Sequence, residues 1–209
     1  MRSAVRAAIL AVLLPTCIVP ALSAQQHRPG LVDVSGRSRH GFWGSLGFGA
    51  GNEAVDLVNP DDGLGYSDSR TAATVQIRLG GTVNPHLRLG GELSSWVYPH
   101  YTDSGDVTES LSGLFGIAQL YPGRRAGFYL KAGAGVGRSA VNYSGGPTIS
   151  DMGFAAVLGA GWDIRVGRHL AITPTIDVQF QDYSGAEGGG YRERIGAIGI
   201  ALTYQAGGL

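Results

Sequence analysis

The chain has 209 residues, with 16 Lys/Arg against 16 Asp/Glu and a formal net charge of zero. Glycine is abundant at 35 residues, and Lys131 is the one lysine beside fifteen arginines. Length sets one domain as the default. The neutral balance, with no basic patch and no aromatic RNA-binding motif, excludes nucleic acid as a partner.

The first 24 residues read as a secretory signal peptide. Arg2 and Arg6 form a positive start, residues 7–20 an apolar stretch, and Ala21-Leu22-Ser23-Ala24 a small-residue cleavage site. A membrane anchor is the alternative, but Pro15 and Pro20 interrupt a stretch short of the ~18–20 apolar residues that a spanning helix needs. Cys17 raises lipidation, yet Leu14-Pro15-Thr16 is a poor lipobox. Cleavage after Ala24 removes the single cysteine and leaves 14 basic against 16 acidic residues, a net of −2. Residues 25–39 are polar and expected to be a flexible lead-in, and residues 40–209 are the folded domain. No later stretch reaches 18 apolar residues, so the mature chain is either soluble or a β-barrel.

Eight strands are expected, at 41–51, 72–81, 87–97, 110–121, 128–137, 153–164, 170–180 and 192–204. Most alternate with period two, which throws side chains to opposite faces. In the fifth, Phe128, Leu130, Ala132, Ala134 and Val136 oppose Tyr129, Lys131, Gly133, Gly135 and Gly137. In the seventh, Leu170, Ile172, Pro174, Ile176, Val178 and Phe180 oppose Ala171, Thr173, Thr175, Asp177 and Gln179. The fourth is ambiguous in phase, since Leu114 and Leu120 oppose Phe115 and Ile117. Period two shows a strand but not which face lies inside.

The connections decide that. Short turns at 83–86, 122–125 and 165–168 alternate with long loops at 52–70, 98–109, 138–151 and 181–191. This asymmetry marks an outer-membrane barrel. The long loops hold eleven of the sixteen acids: Glu53, Asp56, Asp61, Asp62, Asp68, Asp103, Asp106, Glu109, Asp151, Asp182 and Glu187. Aromatics cluster near both strand ends and are expected to form two girdles at the membrane interfaces. Phe42, Trp43, Tyr121, Phe128, Trp162 and Tyr204 lie at one end, and Phe48, Trp96, Tyr98, Phe154, Phe180 and Tyr191 at the other. With the apolar faces turned to lipid, Arg78, Arg88, Glu92, Lys131, Asp163 and Asp177 fall on the inward face. A barrel of eight strands is just wide enough for its own side chains. These charges must therefore pair, Arg78 or Arg88 with Glu92 and Lys131 with a carboxylate. They make either a polar plug or a charge-gated pore.

The patterns Gly-Phe-Trp-Gly-Ser-Leu-Gly-Phe-Gly at 41–49, Phe-Tyr-Leu-Lys-Ala-Gly-Ala-Gly-Val-Gly at 128–137 and Leu-Gly-Ala-Gly-Trp-Asp-Ile-Arg at 158–165, with the last strand 198–204, resemble the small outer-membrane barrels of the outer-membrane protein A and X type. The resemblance spans about residues 40 to 204. It implies an all-β, eight-stranded antiparallel up-and-down transmembrane barrel in the bacterial outer membrane. It also implies outer-membrane lipid and lipopolysaccharide around the barrel, and the barrel-assembly machinery with periplasmic chaperones as folding partners. Such barrels end in an aromatic that this machinery reads; here Tyr204 is followed by five more residues.

Other chemistry is sparse. Gly133-Ala134-Gly135-Val136-Gly137 lacks the spacing, following helix and acidic partner of a dinucleotide loop. His100 with Thr102 is the one enzyme candidate, since lipid A deacylases of similar size resemble it in using a histidine and a serine two residues apart. Asn59-Pro60-Asp61-Asp62-Gly63 offers oxygens but is not the twelve-residue calcium loop, and the five histidines share no ligand spacing. The expectation is a monomeric, non-enzymatic barrel without cofactor or metal, structural or adhesive through acidic outer loops. A lipid-modifying barrel enzyme and a soluble periplasmic lipocalin-like barrel are the alternatives.

Overall fold

In the computed structural model, residues 39–57, 69–102, 105–123, 127–143, 146, 148–183 and 190–207 are described. The signal peptide, most of the lead-in and the Asn59–Gly63 turn lie outside them. The strand segments are β1 (Gly41–Leu57), β2 (Arg70–Asn84), β3 (Leu87–Thr102), β4 (Gly105–Leu120), β5 (Phe128–Tyr143), β6 (Thr148–Trp162), β7 (Ile164–Arg165), β8 (Leu170–Tyr183) and β9 (Tyr191–Gln205). β6 and β7 are one barrel strand interrupted at Asp163, and both pair with β8. Each remaining strand pairs antiparallel with its chain neighbours, and β1 pairs with β9 from Trp43↔Gln205 to Leu57↔Tyr191. The sheet thus closes into an eight-stranded up-and-down barrel in which every strand edge is satisfied.

The faces follow the period-two pattern. Outward lie Leu130, Ile176 and Ile198, exposed by 50%, 56% and 66% respectively, with Leu46, Ile77, Leu93 and Leu158 around them. So continuous an apolar surface is far beyond what a soluble monomer exposes. A lipocalin-like calyx would need that face inside, so the soluble alternative is overturned. β4 resolves its ambiguity: Leu114 and Leu120 face lipid, and Phe115 and Ile117 are buried in the lumen. Gly113 makes room for this, because a Cβ there would lie 2.3 Å from the Phe115 ring. The lumen is therefore not wholly polar. Trp43, Phe115, Ile117, Ala155 and Val157 form an apolar cluster within it.

The strands outrun the expected ones at the long-loop end. Strands of 14–17 residues at ~3.3 Å per residue, tilted about 40°, rise roughly 35–43 Å against an apolar band of ~25 Å. The excess stands above the membrane. All four expected long loops shorten accordingly, two of them most: β3 and β4 are joined by residues 103–104, and β5 and β6 by residues 144–147. Six of the eleven expected loop acids, Glu53, Asp56, Asp106, Glu109, Asp151 and Asp182, sit on strand extensions, and the other five lie outside the described residues.

The aromatic girdles need correction. Phe42, Phe48, Phe128, Phe154, Trp162, Phe180 and Tyr204 face outward. Trp43, Trp96 and Tyr121 are buried in the lumen, and Tyr98 stacks on Trp96 at 5.8 Å between ring centroids. Strand parity is the cause: Trp43 alternates with Phe42, and Trp96 and Tyr98 share the face of Glu92 and Ser94.

Candidate functional site

The six lumen charges are each no more than 4% exposed, and they divide into two layers. In the central layer, β2 and β3 put Arg78 directly across from Glu92. Arg78 Nε donates to Glu92 Oε2 at 2.7 Å, and its Nη2 to Asp177 Oδ2 at 2.9 Å. Lys131 Nζ lies 2.6 Å from the same Glu92 oxygen and 2.8 Å from Asp177 Oδ1. Two cations thus share two carboxylates, and the layer is electrically neutral. Gln76 and Tyr129 complete it, Gln76 Nε2 donating to Asp177 and Arg78 Nη1 to the Tyr129 hydroxyl. Gly159 is required beneath it, because a Cβ there would lie 2.0 Å from Asp177 Oδ1.

The second layer lies toward the short turns. Here Arg88 pairs with Asp163 at 3.2 Å rather than with Glu92. Arg88 also donates to the Tyr121 hydroxyl at 2.5 Å and to the side-chain oxygen of Gln205. Thr173 donates to Asp163 Oδ1 at 2.9 Å. Arg39, assigned by sequence to the lead-in, is buried here, its guanidinium 3.8 Å above the Tyr121 ring. Gln205, one residue past Tyr204, turns inward and donates to the His40 carbonyl, so the strand end seals the barrel. Tyr129 falls on the inward face as its parity with Lys131 predicts, whereas Arg39, Tyr121 and Gln205 were not among the expected lumen residues. The parity of their strands was the signal for the last two.

A third layer, at the long-loop end, is built differently. Trp96, Leu111 and Ile195 pack into an apolar floor. Above it opens a cavity of about 570 Å³ lined by Glu53, Glu109 and Glu193 together with Arg70, His100 and Trp96. Outward positions flanking these carboxylates are Asn52, Asp182, Arg192 and Arg194, with the girdle ring of Phe180 across from Arg194, so the carboxylates stand where the apolar band ends. Arg70 pairs with Glu109 at 2.5 Å, and His100 Nε2 lies 3.7 Å from Glu109. The ion pairs among the described residues include neither Glu53 nor Glu193. Burial pushes the Glu53 carboxyl up to about 7, helped by repulsion from Glu109 and opposed by Arg70. Burial likewise pushes Glu193 up to about 8, with repulsion from Glu53 adding to it and hydrogen bonds from Tyr183 and Ser139 opposing it.

His100 stacks on Tyr98 at 5.3 Å, and among the described residues no serine or threonine hydroxyl is bonded to it. The Thr102 side chain lies outside the described residues. Among the described residues no cluster of His, Cys, Asp and Glu could hold a metal ion.

A closed antiparallel barrel with an apolar outer wall and a charge-paired lumen is a transmembrane barrel of the bacterial outer membrane. The chain belongs to the outer membrane protein beta-barrel domain family, whose model matches residues 9–205. No curated protein matches it. Among solved structures it is similar to Ail, the attachment invasion locus protein of Yersinia pestis, in complex with the heparin analogue sucrose octasulfate. That match has 12% identity and a TM-score of 0.50 over 78% of this chain and 99% of Ail. It is also similar to Neisserial surface protein A, with 14% identity and a TM-score of 0.51 over 78% of this chain and 96% of that protein. At these identities the likeness is one of fold.

Proposed function

We propose that this protein is a non-enzymatic surface barrel, sealed by its lumen charges, that meets partners through its projecting strand ends and outer loops. One observation carries the reading: the lumen is filled by two layers of reciprocally bonded side chains, Arg78–Glu92–Lys131–Asp177 and Arg88–Asp163–Gln205. Buried ion pairs with good geometry stay where they are, since opening them strands charge in a low dielectric. The relatives of this fold include proteins named for attachment and for the cell surface, which accords with a surface-contact role. The acidic character of this mouth favours cationic over anionic partners, unlike the sulfated sugar seated on Ail.

The reading carries further proposals. The chain is exported by its signal peptide, folded by the barrel-assembly machinery, and embedded as a monomer in lipid that includes lipopolysaccharide.

Planar-bilayer recording of the purified protein tests the seal. No steady conductance is expected, and reproducible open channels would show the charge layers to be a gate. Attachment of cells displaying the protein, compared with cells displaying a form whose outer acids are changed to amides, tests the surface role. Lipid A unchanged on expression in a suitable host would accord with the non-enzymatic reading, and deacylated lipid A would overturn it.

A further inference from the structure

The three layers of charge differ in one respect. The central layer matches two carboxylates with two cations, and in the layer below Asp163 is held by Arg88. The outer layer places three carboxylates around one cavity, and Arg70 is engaged with Glu109. That leaves Glu53 and Glu193, only 4% and 6% exposed. They stand diagonally across the β1–β9 pair, because Glu193 opposes Val55, two residues from Glu53. Diagonal neighbours of this kind are ~7–8 Å apart. Glu193 Oε1 accepts from Ser139 Oγ at 3.4 Å, while Glu193 Oε2, buried and lining the cavity, has no hydrogen-bond partner among the described residues. Burying such an oxygen unsatisfied is costly, and a donor that enters the cavity can meet it.

The surroundings define that ligand. Its sign must be positive. It is not a bare metal ion, since the described carboxylates and histidines do not converge as a metal site. Trp96 and Leu111 make the floor, and Tyr143, Tyr191 and Val107 line the walls. Aromatic walls attract ammonium groups through their π faces, and the apolar lining suits a hydrocarbon body. A volume of about 570 Å³ falls within the ~300–1,000 Å³ range of small-molecule sites.

We propose that the outer mouth of the barrel is a binding site for a small organic ammonium ion with an apolar body, its charge set between Glu53 and Glu193 and its body against Trp96 and Leu111. The site is independent of the adhesive reading and requires only the barrel.

The test is calorimetric titration of the folded full-length mature barrel in micelles, with empty micelles as the blank. Phenethylammonium is the probe and phenethyl alcohol its uncharged counterpart. The amine is expected to bind saturably, one per barrel, and the alcohol roughly tenfold or more weaker. Glu193→Gln and Glu53→Gln are each expected to weaken the amine by roughly tenfold or more while leaving the alcohol unchanged. Equal affinity for amine and alcohol overturns the proposal, as does a Glu193→Gln barrel that binds like the parent. Calcium binding without amine binding also overturns it, because the acids would then serve a metal. Should a variant lose its heat-modifiable gel band, the parent decides alone. The titratable and charged groups that line the cavity are Glu53, Glu193, Glu109, His100, Tyr143, Tyr191 and Arg70, with Tyr183 beside Glu193. Amine binding is expected to tighten between about pH 6 and pH 8.5 as the two carboxyls ionise, and affinity unchanged across that interval overturns the site.

Discussion

Glu92 shows how little freedom a residue has in this lumen. Its Oε2 takes both Arg78 and Lys131, at 2.7 and 2.6 Å, with the side chain fully buried. Glu92→Leu would leave two cations sharing Asp177 alone. Breaking a buried pair by removing one partner costs about 3–5 kcal/mol. Urea unfolding in phospholipid vesicles should show a loss of that size, and a loss under about 1 kcal/mol would mean that water already screens the layer. Gly159→Ala attacks the same layer from the wall. Its Cβ would meet Asp177 Oδ1 at 2.0 Å and the Ile176 carbonyl oxygen at 2.7 Å. The carboxylate must retreat from Lys131, at a cost of about 1–3 kcal/mol as for other overpacked sites. The pair Arg78–Glu92 was readable in the sequence because both residues fall on inward parity either side of a short turn. The partner of Arg88 was not. Arg88 opposes Gln119, and the strand tilt carries its side chain toward Asp163, far along the chain at the break between β6 and β7. Such tilt arises from closure and register, which no single strand encodes.

At the scale of the strand, the faces were legible and the lengths were not. Alternation between apolar and polar residues marks the stretch that crosses lipid, because only there does the solvent differ on the two sides. Beyond the apolar band both faces meet water, alternation fades, and the chain reads as loop although ladder hydrogen bonds continue. Asp106 to Glu109 is such a case, paired in register with Tyr101 to Tyr98. The aromatic residues were misplaced for a related reason: proximity to a strand end was weighed, and parity was not. Parity is testable by substitution. Leu130→Arg and Ile176→Arg place charge on the lipid face near the midplane, where about 2–4 kcal/mol is lost. For β4 the decisive pair is Leu114 and Phe115. With Cys17 changed to serine, Leu114→Cys should react with a lipid-soluble maleimide and Phe115→Cys should stay protected until unfolding. The opposite labelling pattern would reverse the strand.

Across the whole molecule, charge runs from a closed plug at the short-turn end to an under-compensated acidic mouth. This arrangement fixes the sign of a pH dependence. Glu53 and Glu193 titrate at about 7 and about 8 in the folded barrel, against ~4.3 for an unfolded glutamate. Between those values the folded state holds more protons than the unfolded one, so stability must fall as pH rises. The contribution of the neutral carboxyls is whole below about pH 4.3 and is lost as pH passes through 7 to 8. Urea midpoints in vesicles should therefore be lower at about pH 9 than at about pH 6. The double variant Glu53→Gln/Glu193→Gln should remove most of that difference, because an amide has no proton to lose; a slope unchanged in it would place the titration elsewhere. An ammonium ion seated between the carboxylates acts in the opposite sense. It favours their ionised forms, and any ligand bound only by the folded state stabilises it. Saturating phenethylammonium should therefore raise the midpoint more at about pH 9 than at about pH 6. The buried acids that weaken the empty barrel in alkali are thereby the groups through which an occupied mouth would hold it together.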